Sequence, residues 1–173
     1  MGKLSERTFW IRIANPADSE AVTALLAASY STLLSASYES DLLGRCLAHF
    51  TKANPTLLSC GTYYVAERET GDLVGCGGWT AAEPGTGNVT EGEAHIRHFA
   101  THPDWTRQGI GSALLAHCIS YARSFGIRKL NCVSSLNAEP FYRAAGFETV
   151  RPMDLQLGPS LAFPAVLMRL HIA

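Results

Sequence analysis

The sequence predicts an α/β domain: one mixed sheet of about seven strands with about four helices packed on it. Three observations predict it. Apolar residues recur at every second position in some segments and at every third or fourth in others, and the two kinds of segment interleave. Asn-Pro pairs and glycines punctuate them where caps and turns belong. Apolar residues make up 47% of the 173 positions, enough for a sizeable core, with no composition break to divide it. A single domain over residues 1–173 is the expectation.

Thr8 to Ala14 alternates around Phe9, Ile11 and Ile13 and reads as a strand. Asn15-Pro16 then supplies an N-cap with proline at the first helical position, and Ala21, Val22, Leu25 and Leu26 form the face of the helix that follows. A second helix, Tyr38 to Phe50, carries Leu42, Leu43, Cys46, Leu47 and Phe50 at helical spacing, and Asn54-Pro55 ends it. Thr62 to Arg68 and Leu73 to Thr80 form a hairpin about the turn Glu69-Thr70-Gly71-Asp72. Ala82 to Gly92, rich in Gly, Glu, Thr and Pro, is a loop. Glu93 to Thr101 is a strand closed by His102-Pro103. The next helix, Gly109 to Phe125, has the stripe Ile110, Leu114, Leu115, Cys118, Ile119 and Ala122 and stops at Gly126. Arg128 to Ser134 is a strand, Asn137 to Ala145 a short helix, and Phe147 to Arg151 and Ala162 to His171 the last strands.

Composition excludes several functions. The net charge is −1 with no basic stripe, so nucleic-acid binding has no footing. No apolar run approaches membrane length. Met1 to Glu6 has no apolar core of a signal peptide and no myristoylation pattern, so a cytoplasmic protein is expected. The five cysteines are scattered without a Cys-x-x-Cys pair, and neither a metal centre nor a disulfide framework is expected.

The most informative segment is Thr106-Arg107-Gln108-Gly109-Ile110-Gly111-Ser112-Ala113. A strand ends, two glycines follow, and an amphipathic helix begins. Helix N-termini present unpaired N–H groups and partial positive charge, and glycines let a polyanion approach them. A tight turn alone would use the same glycines. A Walker loop is absent, and the dinucleotide fingerprint fails because Leu114 stands where a third small residue is needed.

Further on stands Asn137-Ala138-Glu139-Pro140-Phe141-Tyr142-Arg143-Ala144-Ala145-Gly146-Phe147. The stretch from His95 to Phe147, about a third of the chain, resembles the GNAT superfamily of N-acetyltransferases in both its Gly-x-Gly loop and its Asn…Tyr…Gly-Phe helix. Thr106 departs from the family's Gln or Arg at that position. The resemblance implies a mostly antiparallel twisted sheet with a splayed central strand pair. It also implies acetyl-CoA as cofactor, held by Phe99, Ala100, Thr101, Thr106, Arg107, Gln108, Gly109, Ile110, Gly111, Ser112, Ala113, Asn137 and Tyr142. A homodimer is the oligomer it suggests, and a small-molecule or peptide amine the substrate. A non-catalytic acyl-CoA-binding sensor of the same fold is the alternative.

Amine acetylation needs the neutral amine, and removing a proton of pKa near 10.4 at pH 7 costs roughly 4–5 kcal/mol. The strand Glu93-Ala94-His95-Ile96-Arg97-His98-Phe99-Ala100-Thr101 is unusually polar for a central strand. Period-two alternation puts Glu93, His95, Arg97, Phe99 and Thr101 on one face, with Ile96, His98 and Ala100 on the other. In the resembling family this strand lines the acetyl site, which makes His95 the candidate base, Glu93 the reserve and His98 structural. Tyr142, a phenol protonated at pH 7, is the candidate acid for the departing thiolate. Asn137 is the expected cap of its helix. Tyr30, Trp79, Glu93 and Arg97 are candidate substrate contacts, the acidic and aromatic groups suiting a cationic amine.

Overall fold

The computed structural model describes residues 8–173, so the terminal stretch Met1 to Glu6 lies outside the described residues. The order is β1 (Phe9–Ile13), α1 (Ser19–Leu33), α2 (Ser40–Phe50), α3 (Pro55–Ser59), β2 (Tyr63–Arg68), β3 (Leu73–Thr80), β4 (Glu93–Thr101), α4 (Ile110–Ser124), β5 (Lys129–Ser135), α5 (Glu139–Ala144), β6 (Glu148–Gly158) and β7 (Leu161–His171). The seven strands form one sheet in the order β1-β2-β3-β4-β5-β7-β6. Every neighbour pair is antiparallel except β4 and β5.

Three local readings are corrected. Asn54-Pro55 does more than end α2: the Asn54 side chain accepts from Thr56 N and opens the single-turn α3. Asn137 is not a cap; it sits inside a 3-10 turn, Leu136–Ala138, and its side chain donates to the Leu33 carbonyl at 3.3 Å. The strand expected to end at Arg151 runs on to Gly158, because β6 pairs with β7 as a hairpin whose turn lies between Gly158 and Leu161, while the last strand falls where it was expected.

The two faces of the sheet are covered differently. On one, α4 presses Ile110, Leu114, Leu115, Cys118 and Ala122 into the sheet, none more than 1% exposed. Fully burying a side chain of leucine size contributes about 1.5–3 kcal/mol, so this stripe fixes the helix. Gly75 of β3 makes the contact possible, since a Cβ there would lie 2.5 Å from Ile110 Cγ2 and 2.9 Å from Leu114 Cδ1. On the other face, Val22, Leu25 and Leu26 of α1 pack over Tyr63, Val65, Cys76 and Ala100. A third cluster joins α2 to the β7 end of the sheet, with Tyr38 stacked on Phe163 at 4.3 Å.

Trp79, expected at the substrate, is 4% exposed in the core under α4. Its ring meets Phe125 edge-on, with centroids 5.7 Å apart. The strand alternation that puts it there is that of Gly75 and Gly77, both aimed at the α4 face.

Candidate active site

The α4 N-terminus is built to leave donors free. Gly109 caps it in the left-handed region, at φ 80°, and Arg107 before it has φ 60°. The first intrahelical bond is Ala113 N–H to the Gly109 carbonyl, so the amides of Ile110, Gly111 and Ser112 have no partner within the helix. No acidic residue occupies the first turn. A Cβ on Gly111 would stand 3.3 Å from the Phe141 ring and 3.5 Å from Thr101 Oγ1. Glycine there lets α4, α5 and β4 converge, a packing role beside the expected one of admitting an anion.

β4 and β5 pair over only three residues, Glu93 to His95 against Lys129 to Asn131, and then part. Two cavities open from this gap. The smaller, about 440 Å³, runs along Thr101, Thr106, Arg107, Gly109 and Gly111 to Asn137, Phe141 and Tyr142. The larger, about 520 Å³, lies over Glu93, His95 and Arg97 and reaches Arg151 and Arg169 of the last hairpin. Tyr30, Leu34, Phe99, Ser135, Ala138 and Tyr142 line both, so the chambers join there. The Tyr30 hydroxyl donates to the Phe99 carbonyl at 2.9 Å, tying α1 to the exposed edge of β4.

The expected alternation of β4 fails midway. Against β3, Cys76 faces Ala100 but Gly78 faces Arg97, so β4 carries one extra residue. His98 absorbs it at φ 44°, a left-handed conformation unusual for a non-glycine residue. Before the bulge Ala94 and Ile96 enter the α4 core; after it Phe99 packs there, while Ala100 enters the α1 core. His98 therefore joins Glu93, His95 and Arg97 on the cavity side, and Phe99 and Thr101 turn to the α4 side. The earlier placement of His98 on the opposite face is corrected.

These side chains differ in what they can do. Burial pushes the His95 imidazole below its ordinary value, opposed by Glu83 and Glu93, so it is neutral at pH 7 and able to accept a proton. Glu93 is less suited to be the reserve base. Lys129 donates to one of its oxygens at 2.5 Å and Asn131 to the other at 3.2 Å, and the Lys129 hydrogen bond holds its carboxyl below the ordinary range. Burial pushes His98 down to about 4, with Arg97 adding to the shift. Arg97 donates to Thr80 Oγ1 at 3.1 Å and has no carboxylate partner among the described residues.

Tyr142 is buried on α5 among Phe99, Phe141 and Phe147, with ring centroids 6.3, 5.0 and 5.5 Å away. Burial raises its phenol well above 10, with the neighbouring Cys132 thiol adding to the shift. It stays protonated at physiological pH, with a proton available to donate.

Of the residues expected at a cofactor, Phe99, Ala100, Thr101, Thr106, Arg107, Gly109, Ile110, Gly111, Ser112, Asn137 and Tyr142 line the smaller cavity. Gln108 and Ala113 do not line it. Of the expected substrate contacts, Tyr30, Glu93 and Arg97 line the larger cavity and Trp79 does not. Asn131, Arg151 and Arg169 were not anticipated. Asn131 is the polar break in the apolar run of β5, a signal that could have marked it.

Comparison with known proteins bears on the fold and the family. A sequence model described as the acetyltransferase (GNAT) family matches residues 20–147. No curated protein matches the chain in sequence. The structure of a GCN5-related N-acetyltransferase from Rhodopseudomonas palustris, also described as a class-II aminotransferase, superposes with TM-score 0.80 at 18% identity, covering 99% of this chain and 100% of that one. PaiA N-acetyltransferase from Thermoplasma acidophilum, solved in complex with coenzyme A, superposes with TM-score 0.69 at 14% identity over 95% and 99% of the two chains. Ard1 from Thermoplasma volcanium gives TM-score 0.66 at 21% identity over 96% and 99%. At such identities the likeness is one of fold. Among the described residues, no helix is long and apolar enough to cross a membrane.

Proposed function

We propose that this chain, which belongs to the acetyltransferase (GNAT) family, is a single-domain enzyme that transfers an acetyl group from acetyl-CoA to a primary amine. The observation that carries the reading is the meeting of the two cavities at Phe99 and Tyr142, one ending on free helix amides and the other on His95.

The smaller cavity suits CoA on its own chemistry. The free amides of Ile110, Gly111 and Ser112, at the positive end of a helix of 15 residues without an acid in its first turn, favour a pyrophosphate. Beyond the three rungs of the β4–β5 ladder, the facing backbone of β4 is left to a ligand. Bound there, acetyl-CoA supplies an activated thioester. His95 then receives a proton from the amine, directly or through water, as the nitrogen attacks. In the balanced reaction a C–N bond forms, the C–S bond breaks, and one proton leaves nitrogen while one reaches sulfur. Tyr142, kept protonated by burial, is the group within the junction suited to donate that second proton.

Free-thiol release from acetyl-CoA against a panel of amines tests the reading. His95→Ala should lower turnover about 10²–10⁴-fold at neutral pH and less at high pH, where the amine loses its proton unaided. A protein that binds acetyl-CoA by calorimetry but releases no thiol with any amine is an acyl-CoA-binding domain instead.

A further inference from the structure

The charges of the larger cavity do not suit a plain cation. Three arginines, Arg97, Arg151 and Arg169, line it against two carboxylates, Glu83 and Glu93. Glu93 is already taken by Lys129 and, through Asn131, linked to Arg169, whose Nε donates to Asn131 Oδ1 at 2.9 Å. Glu83 lies on the exposed 82–92 loop, where its charge acts on His95. Its carboxylate can also attract an ammonium group to that end.

Arg97 stands apart from the other two. It is half-buried, Thr80 is its side-chain partner, and no carboxylate of the described residues pairs with it. A guanidinium drawn out of water without a counter-charge is destabilising unless a ligand completes it. Its planar donor fork matches a carboxylate. Arg97 and His95 lie two residues apart on the same side of β4, before the bulge, so their Cα atoms are about 6.5–7 Å apart. That separation fits a small molecule with an amine at one end and a carboxylate at the other.

We propose that the acceptor is a small amine that also carries a carboxylate, of the amino-acid class, with Arg97 binding the carboxylate while the amine faces His95 and Glu83. Arg151 at the rim adds attraction for the anion. The assignment rests on the acetyltransferase reading above and narrows its substrate.

Leucine, glutamate, leucinamide and spermidine, each with acetyl-CoA, form the test. Leucinamide differs from leucine by the lost carboxylate, and its amine is the more easily deprotonated of the two. A preference for leucine must therefore come from binding. At least one of the two acids should exceed both leucinamide and spermidine in kcat/KM by about 10–100-fold. Arg97→Gln should remove that preference mainly by raising KM for the acid, and Arg97→Lys should restore part of it. Calorimetric titration of the favoured acid into the CoA-saturated protein gives the same comparison without turnover, and a melting curve checks that each variant folds. Leucinamide or spermidine acetylated as well as the acids, or a preference that survives in folded Arg97→Gln, overturns the carboxylate assignment and leaves acetyl transfer standing. Thiol release with none of these four but with a panel amine that lacks a carboxylate overturns the carboxylate assignment alone, whereas release with no amine of the panel, despite acetyl-CoA binding, overturns the transferase reading and this one with it.

Discussion

His98 holds a left-handed backbone, a largely desolvated imidazole and a place beside Arg97 at once. Its depressed value, about 4 against an ordinary 6.5, has a consequence for stability. Below pH 6.5 the unfolded chain takes a proton that the folded chain refuses until about pH 4, so stability is full above 6.5 and lost as pH falls. The loss is roughly 3 kcal/mol over that window. His98→Asn keeps a residue that tolerates φ above zero and removes the titration; urea denaturation between pH 4 and 7 should show a shallower loss. Tyr142→Phe probes a buried ring. If its hydroxyl donates to the departing sulfur as proposed, single-turnover rate should fall while acetyl-CoA affinity and melting temperature change little, because that interaction forms only as charge develops. Unchanged turnover with weakened cofactor binding removes Tyr142 from the proton transfer. At this scale the sequence was only partly legible. His95 and Tyr142, singled out by the family resemblance, line the joined cavities, whereas the pairing of Glu93 with Lys129 depends on β5 lying parallel beside β4, which no local pattern encodes.

Elements were easier to read than the faces they present. The α4 stripe was visible as period 3.6, and all five of its deepest residues are buried as a group. The bulge in β4 was not visible, because one extra residue changes no composition and breaks alternation only relative to a partner strand. Trp79 was misplaced for a related reason. A lone aromatic beside an acidic loop looks like a binding residue until the glycines before it are known to face α4. That contact is itself testable. Gly75→Ala puts a methyl group 2.5 Å from Ile110, so it should cost about 1–3 kcal/mol in urea denaturation. Gly111→Val should weaken acetyl-CoA binding in calorimetry, accompanied by a lower melting temperature because the branched side chain also crowds Phe141.

Two chambers that share six lining residues should act on a joined ligand as one site. A bisubstrate analogue, CoA linked through an acetyl bridge to an amino-acid nitrogen, should bind at least about 10²-fold tighter than CoA, since the second contact is made within one molecule. Equal affinity for the two would mean that the larger cavity is not the acceptor site. The overall order of elements was legible from periodicity and punctuation alone. The meeting of the chambers was not, because residues from α1, β4, β5 and α5 contribute to it and only the folded sheet brings them together. The gap between β4 and β5 also gives the molecule a mechanical character. Three rungs sew the sheet at one end. At the other, the α1–α2 arm spans the opening: Tyr30 holds β4 through the Phe99 carbonyl, and the Tyr38 hydroxyl acts as a clasp on the β5–β7 half, donating to the Pro164 carbonyl at 2.7 Å and accepting from Leu136 N–H at 2.9 Å. Between stitch and clasp the sheet has no ladder to carry a load, so the halves can flex about the seam. A ligand wedged there would stiffen it. Tyr38→Phe opens the clasp, and amide hydrogen exchange at residues 132–136 should then quicken while the rungs at 129–131 stay protected.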